Sequence, residues 1–372
     1  MLVPGVRHGI HVPRSLVPIL LGSCAVAVAV VAWAILAARP TGTDVAFPGS
    51  SSSTTVHSIA YAVPGDAGAD AIYVRKAVAG ATPELVAAIP HSPGLHLRGS
   101  ASPMGDRLAV LSVASGTFAG LSIVDLPARQ VLPISGAFDY LSPVAWSPDG
   151  RRVMAVQTAG GTNESVARVM EVEIAAGTVT TIAEFRGAFT VAPAGYSVDG
   201  ERAFIVVVDE TGSNLWERKG GELRRLAELS PGRTRDWALS PGGSRLAFVD
   251  VLGAGARTYI GRTLTIATGA ITTQPSEGNQ FGAAWQPGSP LAVFGGPGGA
   301  LALEEPGADG GYVVPLDWSP AGDAWVATVI IPGIDRTVRA TEVIELQTRT
   351  TREQVAVEPG SFFLGWVGDL AN

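Results

Sequence analysis

From residue 99 onward the apolar positions fall into short runs, most of them alternating with polar ones, and Gly or Pro marks nearly every gap between runs. Period-two patterning with that punctuation predicts short β-strands and no long helices. Seven times an aromatic or apolar residue closes one run, a Ser-Pro-Asp-Gly-like turn follows, and a run apolar at consecutive positions begins. The copies start at Ala101-Ser102-Pro103-Met104-Gly105, Trp146-Ser147-Pro148-Asp149-Gly150, Tyr196-Ser197-Val198-Asp199-Gly200 and Leu239-Ser240-Pro241-Gly242-Gly243. Weaker forms follow at Trp285-Gln286-Pro287-Gly288, Trp318-Ser319-Pro320-Ala321-Gly322 and Trp366-Val367-Gly368-Asp369.

The chemistry of the phrase explains its recurrence. Proline presets φ for the second turn position, Ser or Asp bonds the local backbone, and Gly accepts the positive φ that closes the turn. The run after each turn, such as Leu108-Ala109-Val110-Leu111 or Val153-Met154-Ala155-Val156, has no polar face and belongs to a strand covered on both sides. Successive Ser-equivalent positions are 45, 50, 43, 46, 33 and 48 residues apart. Strand-rich units repeating every 40–50 residues or so are the mark of propeller blades. A string of separate β-sandwiches would not place one phrase at the same point of every unit.

Most repeats continue with two further strand candidates, so the expected unit is four-stranded. Residues 57–63, 71–75 and 85–89 are three strands short of a partner, and residues 361–367 are one strand short of a blade. Pairing the two ends completes a blade and removes two open sheet edges. The expected fold is therefore an all-β, seven-bladed propeller over residues 56–372. The unit at 285–312 is short, and if its strands merge with a neighbour the count falls to six.

The phrase Trp-Ser-Pro-Asp-Gly-Arg-Arg-Val-Met-Ala-Val at 146–156 resembles the repeat of TolB-like (WD-repeat-like) β-propellers of bacteria. Weaker copies extend the resemblance over residues 56–368. Met104 in place of Asp, Val198 in place of Pro and Gln286 in place of Ser depart from the pattern and bear on blade boundaries. The resemblance implies the fold. It leaves the function open, because proteins with such repeats include periplasmic interaction scaffolds, the propeller portions of serine peptidases and sensor ectodomains.

The N-terminus carries a different pattern. Residues 16–38 contain no charged side chain, and 23 residues at about 1.5 Å each span a bilayer core of about 30 Å. Arg7 and Arg14 precede the segment and no acid occurs before Asp44, which puts residues 1–15 in the cytoplasm and the rest of the chain outside. The expected layout is a signal-anchor helix at 16–38, a flexible tether at 39–55 rich in Gly, Pro and Ser, and the propeller. Two other readings use the same residues: Ala32-Trp33-Ala34 as a cleavage site, or Leu21-Gly22-Ser23-Cys24 as a lipobox with Cys24 acylated. The apolar run continues 14 residues past Cys24, longer than a cleaved signal needs.

Charge and cysteine content narrow the partners. The chain carries −7 overall; the first 39 residues hold three Arg and no acid, leaving 23 basic against 33 acidic residues beyond them. That balance argues against nucleic acid and against polybasic docking on anionic lipid. Cys24 is the single cysteine, so the propeller needs no disulfide.

Signatures of chemistry are few. No Gly-x-Ser-x-Gly elbow occurs and no His follows His96, so a hydrolase triad in the order Ser, Asp, His is not expected. His91 and His96 form the one close His pair beyond the tether, but the Pro-Gly between them denies a helical face and no third ligand is evident, which reads as a surface loop between blades. Gly295-Gly296-Pro297-Gly298-Gly299 lacks the Lys-Ser/Thr of a phosphate loop and reads as a hairpin tip. Asn163-Glu164-Ser165 is a glycosylation triplet of low specificity. Asp149, Asp199, Asp317 and Asp323 recur near the turns and could ring an axial opening or bind calcium; turn bonding explains Asp149 and Asp199, while Asp317 has no such explanation but makes no site alone. Trp146, Trp285, Trp318 and Trp366 occupy equivalent places, as inter-blade packing requires. No catalytic, cofactor-binding or metal residue is assigned and no cofactor is expected. The expected role is a membrane-anchored extracytoplasmic propeller that binds a protein or cell-envelope component. The alternative is a small-molecule or carbohydrate binder, or a lyase-type enzyme, working in the axial channel.

Overall fold

A computed structural model describes residues 57–369 apart from 66–67, 161–164, 254–256, 298–310, 333–337, 348–351 and 358–359. The segment at 16–38 with Cys24, the tether at 39–55, Asn163, Glu164, Gly298 and Gly299 lie outside the described residues. Among the described residues there are 26 strands and no helix, so none is long and apolar enough to cross a membrane.

In chain order, β1 (Ser58–Val63), β2 (Ala69–Lys76) and β3 (Glu84–Pro90) form an antiparallel meander. The second sheet is β4 (Arg98–Ala101), β5 (Arg107–Ser112), β6 (Ala119–Asp125) and β7 (Gln130–Phe138), and the third is β8 (Ala145–Trp146), β9 (Arg152–Gly160), β10 (Ser165–Glu173) and β11 (Thr178–Arg186). The fourth comprises β12 (Thr190–Tyr196), β13 (Arg202–Asp209), β14 (Gly212–Lys219) and β15 (Glu222–Ser230). The fifth comprises β16 (Arg233–Leu239), β17 (Arg245–Leu252), β18 (Thr258–Thr265) and β19 (Ala270–Thr273). Only β20 (Phe281–Trp285) and β21 (Ala292–Gly295) make up the sixth among the described residues, which is the short unit foreseen at 285–312. The seventh is β22 (Tyr312–Trp318), β23 (Ala324–Pro332), β24 (Val338–Gln347) and β25 (Arg352–Ala356). The last strand, β26 (Phe362–Val367), returns to pair antiparallel with β1, setting Ile59 opposite Trp366 and Ala62 opposite Phe362.

The second strand of each four-stranded sheet is the one with consecutive apolar residues, and its alternate side chains enter two different cores. Ala203, Ile205 and Val207 of β13 pack with the third sheet, while Phe204, Val206 and Val208 pack with the fifth. β5, β9, β17, β23 and β1 divide their residues in the same way. Among the described residues seven cores result, one between each sheet and the next, and the one built from Ile59, Tyr61, Ala324, Val326 and Trp366 joins the seventh sheet to the first. The sheets thus close into a ring, and burial of these alternating faces is what holds it together.

The repeated phrase is the joint between first and second strands. Its Ser is buried: Ser147 Oγ donates to Asp149 Oδ1 at 2.6 Å and accepts the Arg152 N–H at 2.9 Å. In the first copy, where Met104 replaces Asp, Ser102 Oγ donates to Asp106 at 2.7 Å instead. Gly105 closes that turn at φ 69°, and a Cβ there would lie 2.5 Å from the Gly368 nitrogen. The turn that begins one sheet therefore touches the turn that ends the ring, and the Gly368 N–H donates to the Gly105 carbonyl at 2.9 Å.

Candidate functional site

Antiparallel pairing throughout each sheet fixes where the connections emerge. Turns after first and third strands leave at one rim, and loops after second and fourth strands leave at the other. First strands β4, β16, β22 and β26, with the loop entering β8, enclose an axial cavity of about 1100 Å³. A second space of about 430 Å³ lies against β16, β20 and β22.

Mid-strand bulges aim the charged lining. β16 is irregular between Arg235 and Ala238, and Asp236 there takes φ 53°, a left-handed conformation that Gly282 adopts in β20 at φ 64°. A non-Gly residue at positive φ is strained, and such strain concentrates where a side chain must be presented. Asp236 accepts from Arg235 Nε at 2.9 Å and from the Gly282 N–H at 2.8 Å. In β22 a bulge between Pro315 and Asp317 turns Asp317 toward the cavity. Its carboxylate accepts the Trp318 N–H at 2.8 Å; the side chain is open to the cavity, and the protein packed round that cavity disfavours its charge and pushes the carboxyl up to about 7. Tyr140, with the Arg98 guanidinium 5.5 Å over its ring, has its phenol raised by burial.

At the loop rim a second group of side chains adjoins the cavity. Asp70, near the start of β2, is fully buried and faces both imidazoles of the loop after β3. His91 Nε2 lies 2.8 Å and His96 Nδ1 3.3 Å from Asp70 Oδ1. The other carboxylate oxygen, Oδ2, accepts the Leu97 N–H at 2.8 Å. His91 Nδ1 is 2.8 Å from the Ser92 carbonyl, so this nitrogen carries the hydrogen. His96 stacks on Phe362 of β26 with centroids 5.1 Å apart, and its carbonyl accepts the Tyr140 hydroxyl at 2.5 Å. Asp70, His91 and His96 are the described residues whose donor atoms converge closely enough to share a metal ion.

The expected surface loop holds both histidines, but His91 is buried, and the third donor comes from a strand more than twenty residues upstream. Asp149 and Asp199 are turn residues held below the usual carboxylate range, chiefly by the hydroxyls of Ser147 and Ser197. Asp323 Oδ1 lies 3.0 Å from His57 Nε2, across the junction of the seventh and first sheets, and this nitrogen has no aligned hydrogen-bond partner. Trp146 and Trp285 donate from Nε1 to the carbonyls of Ser100 and Ala238 in the preceding sheets, while Trp318 and Trp366 also border the cavity. Gly295 ends β21, and the Gly296 N–H donates to Val313 of β22 at 2.8 Å, so these two glycines serve contact between sheets rather than a free hairpin tip. Arg98, Tyr140, Arg235 and Asp236 were not foreseen. A charged Arg-Asp pair inside a strand whose counterparts are small or apolar was the available signal.

No protein-family model matches the sequence, and no curated protein sequence matches it. Among solved structures, TolB from Acinetobacter baumannii aligns over 84% of this chain and 67% of its own length at 15% identity and a TM-score of 0.52. The acylaminoacyl peptidase of Pyrococcus horikoshii aligns over 80% of this chain at 10% identity and a TM-score of 0.54, and the match spans half of that peptidase. Ring closure, the repeated turn and these alignments agree: the chain has the fold of the TolB-like β-propellers.

Proposed function

We propose that the chain is a seven-bladed propeller tethered outside the cytoplasm by residues 16–38, and that its loop rim docks a protein of the cell envelope. The observation that carries this reading is the composition of that rim. Phe118, Leu141 and Phe189 sit there in loops after second or fourth strands and are 45%, 74% and 57% exposed. Arg233 lies 5.4 Å over the Phe189 ring, and Arg98 over Tyr140 at the cavity mouth. Exposed aromatics next to Arg are the residues that anchor protein interfaces. Among the described residues the opposite rim exposes the side chains Met104, Val198 and Leu291 at turn tips and no large aromatic. Crosslinking and pull-down of the full chain from its native membrane tests the reading. A stoichiometric partner is expected, lost with Phe189→Asp or Leu141→Asp and retained with Met104→Asp. Recovery of no partner, or loss only with Met104→Asp, sinks it.

A small ligand or lyase-type substrate in the axial cavity is the second reading. It is favoured by Asp317, whose carboxyl is raised to about 7, and by the convergence of Arg98, Arg235 and Asp236 on the same space.

A further inference from the structure

We propose that Asp70, His91 and His96 form a binding site for a divalent transition-metal cation at the loop rim, with His96 on the cavity side. The argument starts from His91. Its Nδ1 gives its hydrogen to the Ser92 carbonyl, so Nε2 presents a lone pair. That lone pair sits 2.8 Å from Asp70 Oδ1, with both side chains almost wholly excluded from solvent. Repulsion between that lone pair and the carboxylate oxygen is offset either by a shared proton or by a metal cation seated to one side of the line joining them. A second ring proton would serve only if Nε2–H pointed at the oxygen, yet Nε2 has no aligned hydrogen-bond partner. Two donors that converge on a shared ion behave in this way, because each points at the ion and so aims roughly 35–45° away from the other.

The spacing fits as well. With metal–ligand bonds of about 2.0–2.1 Å, neighbouring donors stand about 3.0 Å apart in octahedral and about 3.3 Å apart in tetrahedral geometry. The observed separations from Asp70 Oδ1 are 2.8 and 3.3 Å, the second a hydrogen bond between His96 Nδ1 and the carboxylate that a bound ion would replace. The surroundings supply what metal-binding imidazoles and carboxylates require. Nδ1–H to a backbone carbonyl orients His91, the Leu97 N–H fixes the free carboxylate oxygen, and the Phe362 ring and the Tyr140 hydroxyl hold the His96 loop. Two imidazoles and one carboxylate suit zinc or another late divalent ion. Three protein donors leave at least one coordination position for water or a ligand, and His96, about one third exposed, is the donor that borders the cavity. The proposal stands apart from the docking reading, since the ion would be held whether or not a partner covers the rim.

The test uses the full chain in detergent, stripped with EDTA and titrated with ZnCl₂ by calorimetry and with CoCl₂ by visible absorption. One equivalent of Zn²⁺ is expected with a Kd of about 1 µM or tighter, together with d–d bands for Co²⁺ that Zn²⁺ displaces. His96→Ala removes the most exposed donor, and Asp70→Asn keeps the acceptor for Leu97. Each should weaken Zn²⁺ binding by at least about 100-fold while the metal-free melting temperature of His96→Ala stays near the parent's. Absence of Zn²⁺ and Co²⁺ binding by the parent overturns the proposal, as does binding that both variants leave unchanged.

Discussion

Asp317 gives the residue scale its clearest consequence. Its carboxyl is raised from the ordinary carboxylate range to about 7, so between about pH 4 and 7 the folded protein keeps a proton that the unfolded chain has released. Stability contributed by this group is complete below that window and declines as pH rises through it. Asp317→Asn keeps the shape and the Trp318 N–H contact while removing the charge. Its melting temperature should exceed the parent's by about 2 °C at pH 8 and match it near pH 3, below the window, a small effect because the side chain faces cavity water. A variant equally shifted at both pH values would show that the carboxylate is not held in this way. The residue was visible in the sequence as an Asp without a turn to explain it, but its depth was not, because depth depends on strands brought in from five sheets. Asp70 was harder still. It lies in a strand of otherwise ordinary alternation, and only the pairing of β2 with β3 carries it to the two histidines.

At the scale of elements, the second strands were legible because burial on both faces requires consecutive apolar residues, and few other environments do. First strands were not, since they mix a mid-strand bulge with side chains that face a cavity, and neither obeys strict alternation. Gly365 of β26 illustrates the constraint. It sits at φ 144° beside a register shift against β1, and a Cβ there would come within 2.5 Å of the Ala101 Cβ and 2.9 Å of the Ala101 nitrogen in β4. Because one of the opposing groups is backbone, β4 cannot yield by a rotamer change. Gly365→Val should cost about 3 kcal/mol in urea unfolding, from overpacking together with an unfavourable φ. Gly220→Ala, at a hairpin with open space around it, should cost about 1 kcal/mol from φ alone. Equal losses at the two sites would mean that the approach of β26 to β4 contributes nothing.

At the scale of the whole molecule, seven cores in a ring make each sheet depend on two neighbours. One strand contributed by the C-terminus completes the sheet that begins at the N-terminal end of the ring. Removing residues 361–372 takes away Leu364, Trp366 and Val367 from two of the seven cores and leaves β1 as an open edge. The truncated chain should lose single-transition melting and aggregate on gel filtration, whereas removal of 370–372 alone should change neither. A truncated form that stays monomeric and melts in one transition would mean that the remaining sheets close without it.

The pairing of β1 with β26 also sets a timetable. Synthesis and any passage across a membrane run from the N-terminus to the C-terminus, and the partner of Ser58 is Val367, more than three hundred residues later. No intermediate length of chain can possess a finished ring. Until the final dozen or so residues emerge, the first sheet lacks its inner strand, and the two cores it shares with the second and seventh sheets stay incomplete. The seam between the first sheet and its two neighbours is therefore the last part of the molecule to close, and it closes only when the last strand arrives.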